Sequence, residues 1–218
     1  MLNEAKHRDP NIALTELGFA LYYSAIGVAD ELQAALDRAD KIDPLNEEIA
    51  EWGMWALMMA NELDAATKWG EAKLTLLPNT PYPNLSLAVA EYMKGNYSRS
   101  ITLAEKGVAM SERAPLPLIL LAQAYAATGQ TEKAHSLIQE AEAQNEYMCP
   151  YETAAIYALL EENEVVFPLL DQAVEYRSNC LIFLRHDPRF EPIRTDERYF
   201  NILKRVGLDD KAVLNYER

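Results

Sequence analysis

LILLAQAYAATGQTEKAHSLIQEAEAQ, residues 118–144, is the stretch whose reading decides the fold. Apolar residues recur at intervals of three and four, and Ala, Leu, Glu and Gln dominate, which is the pattern of amphipathic helix. Gly129-Gln130 interrupts it. The stretch therefore predicts one helix over Leu118 to Thr128, a tight turn, and a second helix over Thr131 to Gln144 that returns antiparallel to the first. Long alternating runs of β-branched residues are missing throughout, so no sheet is expected.

Working outward, the same punctuation recurs at a fixed step, the signature of repeat architectures. Gly27, Gly95 and Gly129, with Asn61 in phase, fall 34 residues apart, and Pro10, Pro44 and Pro78 share that step. Proline ends a helix because it lacks the N–H and crowds the preceding turn. A third marker is a spaced triplet: Leu32, Leu36, Ala39; Ala65, Trp69, Ala72; Ser100, Ala104, Gly107; Ala134, Ile138, Ala141; Val166, Leu170, Ala173. Each triplet shares one helix face, and its small members let the preceding helix approach closely.

These markers resemble the tetratricopeptide repeat. The fourth unit carries the likeness best, with Leu121-Ala122, Tyr125, Gly129, Ala134, Ile138 and Ala141 at the family's positions; Ala122 and Ile138 depart from its Gly and its aromatic. The second unit offers Trp52-Gly53 and Trp69, the third Ala88 and Gly95-Asn96-Tyr97. The fifth offers Ala154, Tyr157 and Ala173, but Glu161 replaces its turn glycine. The resemblance covers residues 13–180 and implies an all-α fold, an α–α superhelix of antiparallel hairpins. Residues such as Tyr125, Ala134 and Ala141 are expected to be packing, not chemistry.

Both ends extend this scheme. Leu2, Ala5, Asp9 and Pro10 repeat the spacing of Leu36, Ala39, Asp43 and Pro44. Residues 1–10 are thus expected to be the tail of an incomplete upstream repeat, with the chain a fragment of a longer one; a natural capping helix is the alternative. Residues 11–180 hold five repeats, and 181–218 form a cap. That cap includes a short helix with Thr195 or Asp196 as N-cap, Tyr199, Phe200, Leu203 and Val206 as its apolar face, and Gly207 as its stop. From Arg177 through Asp187-Pro188-Arg189-Phe190 to Leu208 the tail is similar to those of bacterial multidomain regulators, in which such repeats follow a ToxR-like winged helix or a nucleotide cyclase domain.

Composition sets further bounds. Among 218 residues, 34 acidic against 20 basic side chains give a net charge of −14, with 27 acidic and 12 basic in the first 184. Such a surface repels phosphate backbones, so nucleic acid is not an expected partner. No apolar run is long enough to span a bilayer, and the first ten residues lack a signal peptide's apolar stretch. The compartment is open: cytoplasmic is favoured, periplasmic if a span lies upstream. His7, His135 and His186 are far apart, no nucleotide, zinc or nucleophile motif occurs, and Glu47-Glu48 and Glu161-Glu162 cannot face each other on a helix. No cofactor, metal or enzymatic activity is expected. Cys149 and Cys180 fall at the same end of the fifth hairpin. Two reduced thiols are expected there, a bridge being the alternative if the Cα atoms come within about 4.4–6.8 Å.

The resemblance implies that the first helices of the repeats line a concave groove. By position, its lining is Leu17, Leu21, Glu51, Trp55, Met58, Tyr82, Leu85, Val89, Tyr92, Ile119, Gln123 and Tyr151; for any one of them, simple core packing is the alternative. The phase of the second unit is open by one residue. Lys, Arg and Asn, which clamp a terminal carboxylate in the family's co-chaperone members, are absent from these positions. An apolar, aromatic groove with an acidic rim suits a protein or peptide with an apolar face and a basic flank. The expected function is protein interaction or sensing within a larger bacterial regulator; the alternative is a stand-alone scaffold that assembles a complex.

Overall fold

The computed structural model describes residues 2, 4, 7, 9, 11–144 and 146–209. Among these residues the protein is all-helical, with no strand. Five hairpins follow one another: α1 (Ala13–Ile26) with α2 (Ala29–Ile42), α3 (Glu47–Met59) with α4 (Leu63–Leu76), α5 (Tyr82–Met93) with α6 (Tyr97–Met110), α7 (Pro115–Ala127) with α8 (Thr131–Glu142), and α9 (Pro150–Leu159) with α10 (Asn163–Glu175). Two 3-10 turns, Asn179–Phe183 and Pro188–Ile193, lead to α11 (Glu197–Val206). Each first helix packs on its own partner and on the first helix of the next hairpin, so the first helices form the inner layer.

The turns obey one rule. Gly27, Asn61, Gly95, Gly129 and Glu161 all hold positive φ, between 60° and 80°. Each is followed by a residue whose N–H reaches back five positions, as Gln130 N donates to Tyr125 O at 2.9 Å and Glu162 N to Tyr157 O at 2.9 Å. This left-handed cap satisfies the last carbonyls of the inner helix and reverses the chain. Glycine adopts it freely, whereas Glu161 must hold it against its own Cβ.

The register of the second hairpin is shifted by one from the triplet Ala65, Trp69, Ala72. The buried residues of α4 are Ala66, Gly70 and Lys73, of which Gly70 meets Met54 of α3. The step of 34 thus runs unbroken through Leu32, Ala66, Ser100 and Ala134. Bulk explains why the pattern was obscured. Gly70 stands where other units carry Leu36 or Ile138, and Met54 where they carry Ala20 or Ala122; a Cβ on Gly70 would lie 2.5 Å from Met54 Cε. Large and small have changed sides of one contact, leaving its volume filled. Lys73 is buried because it pairs with Asp40 and donates to Pro44 O at 2.8 Å. Trp69 lies instead over Gly53 and donates to Ala50 O at 3.1 Å.

Of the expected N-terminal tail, Met1, Asn3, Ala5, Lys6, Arg8 and Pro10 lie outside the described residues. Leu2 is helical and packs on Gly18, its Cδ2 2.7 Å from where a Cβ would be. At the other end α11 is capped by Asp196, which accepts from Arg198 N, and stops at Gly207 with φ of 75°. Its buried face is Tyr199, Ile202 and Leu203; Phe200 is exposed, because it lies off the stripe those residues form. Arg198 stacks over Phe167, 4.0 Å from the ring centroid, and holds α11 on α10.

Two stability outcomes follow. Glu161→Gly is expected to stabilise the chain by about 1 kcal/mol and Gly95→Ala to cost about as much, since only glycine takes the left-handed cap without strain. Ala134 and Ala141 have no exposed surface, so Ala134→Leu overpacks the α7–α8 contact and costs about 1–3 kcal/mol. Urea denaturation of the three variants measures all of these; an unchanged Ala134→Leu midpoint contradicts the register.

Candidate functional site

The inner layer is not empty. The chain's own segment 179–194 lies on the inner helices and carries one guanidinium into their midst. Arg189 has no exposed side-chain surface. Its Nε donates to Asp187 Oδ1 at 2.9 Å and its Nη2 to Asp187 Oδ2 at 2.6 Å. Its Nη1 donates to Glu152 Oε2 at 2.6 Å and Gln123 Oε1 at 3.2 Å. Tyr151 Oη donates to Asp187 Oδ2 at 2.7 Å, and Gln123 Nε2 to Glu152 Oε2 at 3.0 Å. Trp55 and Tyr151 stack on the guanidinium, their centroids 5.0 and 5.7 Å from its carbon. Burial works against the charge on Arg189, but Asp187 and then Glu152 outweigh it and hold the group well above its ordinary pKa.

Local structure explains how the arginine gets there. Asp187 caps the second 3-10 turn by accepting Arg189 N–H at 2.9 Å, so the backbone that positions the acid also aims the base. Pro188 starts that turn, and Phe190 packs edge-on to Tyr151 at 5.2 Å. The first 3-10 turn reaches the other way. Phe183 stacks on Trp52, 6.5 Å between centroids, and joins the core of the first hairpins.

Trp55, Tyr92, Gln123 and Tyr151, expected as groove lining, therefore gather on the inner face around the inserted segment and are buried. Leu17, Met58, Val89 and Ile119 are buried in the cores of their hairpins. Leu85 turns into its own hairpin against Gly107. Leu21 is half-buried, Tyr82 is exposed at the start of α5, and Glu51 is half-buried. Sequence reasoning did not bring Arg189, Asp187 and Glu152 into the site. The available signal was a polar residue on an otherwise apolar inner helix, Gln123 in α7 and Glu152 in α9, with Asp187-Pro188-Arg189 in a segment of no repeat.

What stays open is a cavity of about 190 Å³ between α3, the start of α7, the start of α9 and the first 3-10 turn. Trp52, Trp55, Leu116, Leu120 and Phe183 make its walls apolar; Glu51, Glu152, Tyr147, Asn179, Cys149 and Cys180 edge it. Burial, then the charges of Glu48, Glu152 and Glu47, push the Glu51 carboxyl up to about 7. A second opening lies beside Tyr92, Tyr97 and Pro188. Among the described residues no group of His, Cys, Asp and Glu is placed to hold a metal, and no helix is long and apolar enough to cross a membrane.

Breaking a buried pair leaves an uncompensated charge. Arg189→Met is expected to cost about 3–5 kcal/mol, because Asp187 and Glu152 lose their counter-charge, and adding Asp187→Asn and Glu152→Gln to recover most of it. Chemical denaturation of the single and triple variants checks this; equal losses in both would show that packing, not charge, holds the segment.

No protein-family model matches the sequence, and no curated protein matches it. Solved structures do resemble it. MamA is 19% identical over 67% of this chain and 88% of its own, with a TM-score of 0.50. PilW, a widely conserved type IV pilus biogenesis factor, is 18% identical over 89% of this chain and 88% of its own, TM-score 0.56. A chain of the APC/C hetero-tetramer Cut9–Hcn1 is 17% identical over all of this chain and 45% of its own, TM-score 0.62. The shared architecture is the tetratricopeptide-repeat solenoid, and that is the fold of this chain.

Proposed function

We propose that this chain is a protein-interaction module, not a catalyst, and that it takes a peptide or helix with one large apolar anchor and a basic flank. The observation that carries this reading is the cavity on the inner face. Its walls are aromatic and aliphatic, while Glu51 and Glu152 stand at its edge. Tyr147 is 68% exposed beside it, an unusual placement for a large ring. Apolar recesses of this kind hold the anchor side chains that dominate binding, and the carboxylates, on a chain of net charge −14, select a cationic neighbour and speed its arrival.

The expected lining narrows accordingly. Glu51 and Trp55 belong to the proposed site; the residues covered by segment 179–194 support it from beneath. In the same reading the module serves as the interaction or sensing portion of a bacterial transcriptional or signalling regulator, for which the likeness of the tail from Arg177 to Leu208 is the support.

The test uses fluorescent peptides with a Leu or Phe anchor, flanked by Lys and Arg or by Glu, and reads anisotropy. The basic-flanked peptide binds and weakens with salt. Its affinity rises as pH passes through about 7, because Glu51 gains its charge there; Glu51→Gln flattens that rise. Tyr147→Ala costs about 2 kcal/mol of binding, roughly 30-fold in Kd, with little change in stability. Equal binding of acidic and basic peptides, or of neither, overturns the proposal.

A further inference from the structure

Cys149 and Cys180 meet on the wall of that cavity although the chain between them makes a whole hairpin. Both are free thiols and both are half-buried. Cys149 sits at the N-cap of α9, and Cys180 in the first 3-10 turn. The hydroxyl of Ser178, two residues before Cys180, is 3.8 Å from Cys149 Sγ. Cys180 Sγ donates to Asn179 Oδ1 at 3.7 Å.

Their surroundings divide the roles. The Cys149 thiol is pulled down to about 7, first by a hydrogen bond with Cys180 and against the effects of burial and of the Glu152 charge. The Glu152 backbone N–H, in the first turn of α9, and Ser178 pull it the same way. Cys180 is pushed up, first by that same hydrogen bond and then by burial. Cys149, at a helix N-terminus that favours a thiolate, is placed as the attacking cysteine, and Cys180 in the adjoining 3-10 turn as the resolving one. The backbone lets them close. A five-residue 3-10 turn has poorer hydrogen bonds than an α-helix and shifts more easily than α9.

We propose that Cys149 and Cys180 are a reversible dithiol–disulfide site, oxidised by hydroperoxides, at the edge of the inner cavity. The Cys149 thiolate attacks one peroxide oxygen. An S–O bond forms, the O–O bond breaks, and hydroxide leaves for hydrogen peroxide, or alkoxide for an organic peroxide. Cys149 is now a sulfenic acid, oxidised by two electrons, and the peroxide is reduced by two. Cys180 then attacks that sulfur. The S–S bond forms, the S–O bond breaks, and the departing hydroxide takes the Cys180 proton and leaves as water. A small dithiol reverses the step by exchange, being itself oxidised to a disulfide. The bond ties the start of α9 to the turn that carries Phe183 onto Trp52, so oxidation draws in one wall of the cavity. The site rests on the placement of the thiols and stands whether or not a peptide takes the cavity.

The whole chain is treated with stoichiometric hydrogen peroxide and analysed by intact mass and peptide mapping without reductant. The expected result is a monomer lighter by two hydrogens, with the Cys149 and Cys180 peptides joined and dithiothreitol restoring both thiols. Cys180→Ser is expected to hold a sulfenic acid at Cys149 that dimedone traps, and Cys149→Ser to react at least about ten-fold more slowly. Accumulation of sulfinic acid at Cys149, or bridges between chains with no internal link, in the unsubstituted protein overturns the proposal; that arm needs no variant to fold.

Discussion

Arg189 stays charged inside this solenoid because three parts of the chain converge on it. Gln123 comes from α7, Glu152 from α9, and Asp187 from the turn that carries the arginine itself. A guanidinium out of water costs several kcal/mol unless its donors are all used and its charge is met. Here the donors are used, and Trp55 and Tyr151 cover its faces. The arrangement specifies position more than it adds stability. Apolar packing alone would tolerate small slides of segment 179–194 along the inner helices; directed hydrogen bonds to Asp187, Glu152 and Gln123 do not. The shape of the inner face, including which part is filled and which part stays open, depends on that constraint.

The solenoid around it is built from one contact repeated every 34 residues. A small residue on an inner helix meets a larger one on its partner, or the reverse, as Met54 and Gly70 do. The total volume of that contact is kept. The left-handed cap then reverses the chain in each hairpin. Four of the five caps use glycine or asparagine, the residues with the smallest penalty there; Glu161 departs.

Where segment 179–194 passes from α9 to the first hairpins it leaves a recess, and chemistry collects there. Glu51 is crowded by other carboxylates and by apolar rings. Two thiols that flank the last hairpin in sequence, and lie at the same end of it, share one edge. A single rearrangement of the first 3-10 turn would touch all of these at once, since Phe183, Cys180 and Asn179 belong to it. A peptide in the cavity and oxidation of its edge, as proposed, would therefore act on the same turn.

The sequence by itself determined the hairpins, their number and their turns, because helix periodicity, Gly at a left-handed cap and Pro at a helix end act within a few residues. It also carried the register wherever one side of each contact was small. It misled by one residue at Ala65 and Ala72, whose places are taken by Ala66 and Lys73, while Trp69 does pack on the preceding helix beside Gly70's contact with Met54. Only the tertiary structure decided what occupies the inner face. Asp187-Pro188-Arg189 reads in sequence as a polar stretch after the last repeat, and its burial depends on Gln123 and Glu152, which are 66 and 37 residues away. An ion pair's worth is set by its surroundings, and those surroundings exist only once the superhelix has closed around the segment.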